Sequence, residues 1–474
     1  MGSRRASTEN RMIIRSWEFL RQNLVKFLVI IIGFALILTL SNPSVSWQAQ
    51  VGVLAVAFMA ALFTVAGEQG LHLHLYLMLL TEAFGWRTAK VGGIILDAQQ
   101  AVAWLLLFHL LVARSVGKLT VPIRGVKLAF ITLWVGMLGF LTGLVYERNI
   151  SAMITEMGPL LLSIPVIIGL CTLVRDEREL QRVAMVLMVV VLLISVPGII
   201  GYVFRLENAV IYRADSGTYR ANFPLWGGSV AGYALVPLLI LIMPYLLCRP
   251  EDRWFYWVAW FSFVIGLVAV LLAGQRGGWI ALATGLVGFT FIGRTGRLVV
   301  TLALLVTLLI MPDGIRRGLF ALTETDVRNA YNSSTMSRYS RATGTMDLVW
   351  EHPLLGNGFT ASGWAHTDLL QLAANLGIPA ALALLIGWYW PTLIILRGMI
   401  AHLPKRLIAS KSSIFQAGLM GAVIVSIFLL ATEAMIVISA LVLPIWIVVG
   451  LLHSVTLQGD VNLYFWSVYA EESH

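Results

Sequence analysis

Charge is what this chain has least of. Of its 474 residues only 12% are Asp, Glu, Lys or Arg, while 59% are hydrophobic and the mean hydropathy is +0.85. Soluble domains carry about 25% charged residues, so these figures exclude a water-soluble fold and leave an integral membrane protein. Cysteine is also scarce. Cys171 and Cys248 are the only two, near ends of predicted helices, and they make neither a disulfide framework nor a metal site. Ten-residue alternating strands are missing, which excludes a membrane β-barrel and leaves helices as the spanning structure. No internal repeat of the kind many transporters carry is visible. The polar loops hold no acidic pair at metal-ligand spacing, and no cofactor motif occurs.

What the chain does have is apolar runs long enough to cross about 30 Å of hydrocarbon. They fall at 24–41, 51–66, 71–86, 92–113, 127–146, 158–174, 183–204, 227–247, 254–273, 277–293, 297–311, 368–396, 413–433 and 436–454. The second and third can form one re-entrant feature, so the expectation is an all-α polytopic membrane protein of 12–14 transmembrane helices. Residues 27–41 follow a basic segment and lack an A-x-A-like cleavage site, so they are read as the first span. One integrated membrane domain is expected: N-terminal helices over 1–204, helices with polar loops over 205–311, a large loop with short helices over 312–367, and C-terminal helices with a cytoplasmic tail over 368–474.

The net charge of +9 is consistent with basic cytoplasmic loops and needs no nucleic-acid partner. With the N-terminus in the cytoplasm, 21 of the 33 Lys and Arg residues fall on the inner side and 12 on the outer side. Lysine is nearly missing from the outer set. Apart from Arg87, Lys90 and Arg148, that set is Arg205, Arg213, Arg220, Arg276, Arg316, Arg317, Arg328, Arg338 and Arg341. Planar guanidinium groups bind phosphate bidentately, which lysine cannot do. An arginine-only cluster on the face that should be poor in positive charge therefore suits a phosphorylated ligand held by the membrane.

Four segments carry this chemistry. In VLLAGQRGGWIALATG (270–285) two spans abut, which puts Arg276 at membrane depth, where arginine costs roughly 2.5–3.5 kcal/mol near the centre and less at the interface. An arginine snorkelling to lipid headgroups accounts for it equally well on local grounds. YRADSGTYRANFPLWGG (212–228) carries Arg213 and Arg220; its plainer reading is a solvated loop anchored by Trp226. SRYSRATGTMDLVWEH (337–352) suits a short helix with Arg338 and Arg341 three apart on one face, or an amphipathic helix lying on the membrane. HPLLGNGFTASGWAHTDLLQLAANLGIPA (352–380) brings His366 to the start of a helix. A neutral imidazole there can take a proton from a sugar hydroxyl. It can equally be an interfacial residue, with Thr367 or Asp368 capping the helix and Asp368 and Gln371 at capping-box spacing. Of the other histidines, His352 is the one rival. His72 and His74, two apart, point to different helix faces and form a poor metal pair, and His109 and His453 read as core or lipid-edge residues.

Together these segments resemble the O-antigen ligase/polymerase family of bacterial membrane glycosyltransferases. The resemblance spans about 205–380. Its elements, in the family's order, are the RADSGTYRANFP loop, the GQRGGW turn, Arg338 some fifteen residues before PLLGNG, and His366 opening a helix that runs to Gly377. Thr367, Ala380 and Ala342 depart from the pattern of the lipopolysaccharide ligases. The resemblance implies a transfer without metal or cofactor on the periplasmic face of the inner membrane, from an undecaprenyl-pyrophosphate-linked glycan to lipid A-core or another glycan acceptor. It implies that Arg276, with Arg213 or Arg220, holds the donor pyrophosphate, and that His366 acts on the acceptor hydroxyl. Arg338, Arg341 and Asp368 are implied in acceptor binding or gating. A polymerase, a protein O-oligosaccharyltransferase and, from a different class, a transporter of lipid-linked oligosaccharide stay open.

Overall fold

The computed structural model of the protein describes residues 67–84, 88–91, 94–115, 119–207, 209–213, 218–223, 230–247, 253–290, 301, 325–362, 367–402, 411–433 and 439–462. The spans expected at 24–41 and 51–66 lie outside these residues, as does 297–311 apart from Thr301. In chain order the described helices are α1 (Gly67–Leu80), α2 (Ala98–Ser115), α3 (Ile123–Val145), α4 (Ile150–Leu161), α5 (Ser163–Leu173), α6 (Glu177–Val203), α7 (Ala231–Leu247) and α8 (Arg253–Ala273). They continue with α9 (Arg276–Thr290), α10 (Thr325–Glu351), α11 (Asp368–Leu376), α12 (Ile378–His402), α13 (Lys411–Thr432) and α14 (Ser439–Asn462). A 3-10 turn (Thr81–Phe84) and two antiparallel hairpins complete the described elements: β1 (Thr88–Val91) with β2 (Ile94–Asp97), and β3 (Val210–Arg213) with β4 (Thr218–Ala221).

Among the described residues, six helical segments are long and apolar enough to cross a membrane: Ile123–Val145, Ile150–Leu173, Glu177–Val203, Arg253–Ala273, Ile378–Arg397 and Phe415–Thr432. The protein is an all-α polytopic, multi-pass membrane protein. At its centre is α7, whose residues from Ala231 to Leu246 are all buried, packed by α6, α8, α9, α13 and α14. The outermost faces are apolar and exposed, as a lipid-facing surface must be: α3 shows Phe130, Trp134, Leu138 and Leu141, and α8 shows Trp257 and Phe261. Helix association in lipid relies on close packing and interhelical hydrogen bonds, each roughly 0.6–1.7 kcal/mol. Three such bonds come from α14: Trp446 Nε1 donates to the Pro159 carbonyl (2.9 Å), Ser454 Oγ to the Val174 carbonyl (2.6 Å), and His453 Nε2 meets the Gly387 and Trp388 carbonyls (3.1 Å each).

The histidines follow their expected faces. His72 pairs with Glu179 (3.1 Å), whereas His74 turns away to meet His109 (Nδ1 to Nδ1, 3.4 Å).

Three elements differ from the sequence expectation. The run expected to be helical from 92 starts with the second strand of a hairpin, and the helix begins at Ala98. Pairing of Val91 with Ile94 leaves Gly92–Gly93 as the connection, a glycine pair suited to a two-residue hairpin turn. The span expected at 368–396 is two helices, broken at Gly377. The short helix expected at 337–352 is α10, which starts at Thr325; no proline or glycine occurs before Gly344 to stop it. The polar YNSST run inside α10 hides that continuity, because Asn, Ser and Thr are weak helix formers.

Candidate functional site

The helices that end or begin at one end of the bundle assemble the site. There α8 stops at Ala273 and α9 starts at Arg276, so the chain reverses over Gly274 and Gln275 alone. Gly274 makes this possible with φ +65°, a left-handed conformation that other residues adopt at a cost. It also has no room for a side chain. A Cβ there would lie 2.9 Å from Arg220 Cγ and 3.0 Å from Arg220 Nε. The Arg220 side chain, delivered by β4, is thus laid directly on the backbone two residues before Arg276. Trp279 holds the turn from the other side, its Nε1 donating to the Val270 carbonyl at 3.0 Å.

A second group closes around the same turn. Tyr233 Oη, from the start of α7, lies 2.8 Å from Glu433 Oε1 and 3.1 Å from Gln275 Oε1. Glu433, just past the end of α13, also accepts from Arg338 Nη1 of α10 at 3.2 Å. Gly277 gives the carboxylate its seat, since a Cβ there would sit 2.8 Å from Glu433 Oε1. Four separate parts of the chain therefore meet at the first turn of α9. The first N–H groups of that helix lack intrahelical partners and carry the positive end of its dipole, so the turn favours anions.

A third group fixes the short helix α11. Asn357 and Gly358 of the PLLGNG turn donate their backbone N–H groups to the Ala374 and Asn375 carbonyls (2.8 and 3.0 Å), and Ile378 N donates to the Pro353 carbonyl (2.7 Å). The first two of these bonds satisfy carbonyls at the C-terminal end of α11 that a helix leaves open. Asn357 Nδ2 bonds the Leu348 carbonyl of α10 at 2.7 Å and reaches the Ala374 carbonyl at 3.3 Å, tying the two helices together. From the opposite side Glu156 of α4 accepts from Gln371 Nε2 (2.8 Å) and Asn375 Nδ2 (2.7 Å) on one oxygen, and from Thr360 N (2.5 Å) on the other. The expected capping box is consequently not made. Thr367 is the N-cap of α11 without a side-chain bond, and the Gln371 side chain is taken by Glu156.

The expected site residues are distributed as follows. Arg220 and Arg338 reach the α9 turn. The Arg276 backbone opens α9, and its side chain is outside the described residues, as is that of Arg213, which pairs with Thr218 two steps along the ladder from the Arg220–Ile211 pair. Arg341 does not share Arg338's surroundings. It lines an open cleft of ≈ 290 Å³ with Gly344, Thr345, Leu348 and Ser362. Asp368 is 1% exposed and faces a small interior cavity beside Glu156, Gln371 and Asn375. His366 itself lies outside the described residues; the adjoining Thr367 begins α11, which packs on α10 and α13. His352, the rival histidine, is exposed and engaged with Tyr146, Nε2 to Oη 3.1 Å. Among the described residues no group of three His, Cys, Asp or Glu is placed to hold a metal ion.

Sequence reading missed Glu433, Tyr233 and Glu156. Two of them had a visible signal: Glu156 is the only acidic residue between Arg148 and Arg175, and Glu433 the only one between Lys411 and His453. A lone carboxylate in an apolar run marks a functional or tightly paired position.

A family comparison covers the core of this arrangement. Residues 261–385 match the family model described as O-antigen ligase. Over these residues the chain is similar to the O-antigen ligase family. The matched segment contains Arg276, Arg338, Arg341, His366 and Asp368, whereas Arg213, Arg220, Glu156 and Glu433 come from outside it. No curated protein matches the chain.

Proposed function

We propose that the protein is a metal-independent glycosyltransferase of the bacterial inner membrane. It moves a glycan from undecaprenyl pyrophosphate to lipid A-core on the periplasmic face. The observation that carries this reading is the contact of Arg220 with the turn leading into Arg276, at the start of a helix and within a segment of O-antigen ligase type. Such a donor keeps its tail in the bilayer and its pyrophosphate at the interface. Guanidinium groups hold that pyrophosphate through charge-assisted hydrogen bonds of roughly 1.5–3 kcal/mol each. The same groups stabilise the negative charge that develops on the pyrophosphate as the glycosidic bond breaks, which is where electrostatic catalysis acts. His366 accepts the proton of the acceptor hydroxyl. Glu156 and the PLLGNG turn hold α11, and with it the backbone next to His366, in a fixed place.

The test is transfer by the reconstituted protein from a lipid-linked glycan to lipid A-core, to a second lipid-linked repeat and to an acceptor protein in turn. Product on lipid A-core is expected. Arg276→Ala and His366→Ala should each lower the rate by about 100-fold or more while the protein still inserts. Wild-type rates in either variant would remove the assigned roles. Product only on a lipid-linked repeat or on protein would make the enzyme a polymerase or a protein O-oligosaccharyltransferase. Movement of the donor across liposomes without transfer would make it a transporter.

A further inference from the structure

Glu433 has no role in the mechanism above, yet it occupies its centre. It is 7% exposed, it lies at the end of an apolar helix, and its Oε1 binds Tyr233 and Arg338 together. A carboxylate buried in such a place is costly unless its partners are fixed. Its partner is disposed differently. The Arg338 side chain is 48% exposed, and its ion pair with Glu433 is made through Nη1. A guanidinium has five N–H donors, so anchorage by Glu433 and Tyr233 still leaves part of the fork able to receive an anion. The seat of Glu433 on Gly277 places this anchor over the first turn of α9, beside the backbone on which Arg220 rests.

We infer that Glu433 is a positioning residue for the donor diphosphate: held by Tyr233, it fixes the Arg338 guanidinium at the α9 turn, so that Arg338 serves the donor pyrophosphate rather than the acceptor. This rests on the glycosyltransferase reading for the identity of the diphosphate. Anchoring one end of a flexible side chain removes the entropy cost of ordering it when the anion arrives, which raises affinity without a new contact. Arg341, three residues on and lining a separate cleft with Ser362, is left to the acceptor side.

The experiment is a double-mutant cycle on undecaprenyl pyrophosphate binding to the full-length protein in nanodiscs. Glu433→Ala and Arg338→Ala should each weaken binding by about 10- to 100-fold, the range of one charge-assisted hydrogen bond. The double variant should bind no more weakly than Arg338→Ala alone, because Glu433 acts only through Arg338. The KM for the acceptor should not move in any of the three, whereas a merely structural role would multiply the losses and disturb both substrates. Glu433→Gln, which keeps an oxygen for Tyr233 and Arg338, guards against misfolding of the alanine variant, and it should weaken binding by about threefold or more through loss of charge assistance. Wild-type affinity in Glu433→Gln, or multiplicative losses in the cycle, would overturn the inference. Tighter binding in Glu433→Gln would overturn it too, by making Glu433 a competitor of the diphosphate for Arg338. If the wild-type protein binds undecaprenyl pyrophosphate but transfers nothing, the proposed function fails and the cycle still decides Glu433. If it does not bind, both fail.

Discussion

Removal of the Glu156 carboxylate measures how firmly α11 is held. Glu156→Ala leaves three donors without their acceptor: Gln371 Nε2, Asn375 Nδ2 and the Thr360 N–H. Gln371 and Asn375 are buried, so water does not readily replace the lost partner. Each buried donor left open costs about 1–3 kcal/mol, and the low end of that range for all three already gives about 3 kcal/mol. At roughly 2 °C or more per kcal/mol for a chain of this size, the unfolding temperature should fall by about 5–10 °C. Glu156→Gln should cost less. Its single amide oxygen can serve Gln371 and Asn375 as Oε1 now does, but its NH2 then faces the Thr360 N–H, leaving one donor open at about 1–3 kcal/mol. Cys171 supplies the assay. It is 5% exposed in α5, the helix that continues α4, so a thiol-reactive fluorophore in detergent reports its exposure on heating. A Cys248→Ser background removes the other thiol. The expected order of stability is wild type, then Glu156→Gln, then Glu156→Ala. A Glu156→Ala protein that unfolds at the wild-type temperature, or a Glu156→Gln protein below it in stability, would refute the bonding scheme.

Two further substitutions test the turns. Gly274→Ala imposes a left-handed strain of about 1–2 kcal/mol and a clash with Arg220, and should reduce glycan transfer at least about tenfold. Gly274→Asn tolerates the φ angle better but keeps the clash, so it should be as impaired; recovery of activity there would show that Arg220 does not need this contact. Asn357→Ala breaks the link from α10 to α11 and should destabilise by about 1–3 kcal/mol in the thiol assay. Asn357→Asp should be worse, since it sets a carboxylate against two carbonyls; equal or better stability than Asn357→Ala would contradict the assigned donor role of Nδ2.

Much of the membrane architecture was legible because a lipid-spanning helix must be long, apolar and nearly free of charge, and these are properties of the sequence alone. Ile123–Val145, Glu177–Val203 and Arg253–Ala273 end within one residue of their expected bounds and start one to six residues earlier. What escaped the reading was local punctuation. Gly92–Gly93 was submerged in an apolar run, so hydropathy favoured a helix where a hairpin forms. Gln371 had the spacing of a capping box, but a carboxylate 215 positions earlier in the chain offered a stronger partner, and spacing cannot register such a competitor.

By itself, then, the sequence settled that this chain lives in a membrane and that a segment of O-antigen ligase type lies in its second half. Composition and short motifs suffice for that, because hydrocarbon solvation and tight turns act locally. Only the tertiary structure decided that Arg220 rests on the Gly274 turn, that Arg338 is drawn away from Arg341 by Glu433, and that PLLGNG serves α11 as a support. These are contacts between helices far apart in the chain, and a bond of a few ångströms between them depends on how the bundle packs rather than on any neighbour in the sequence.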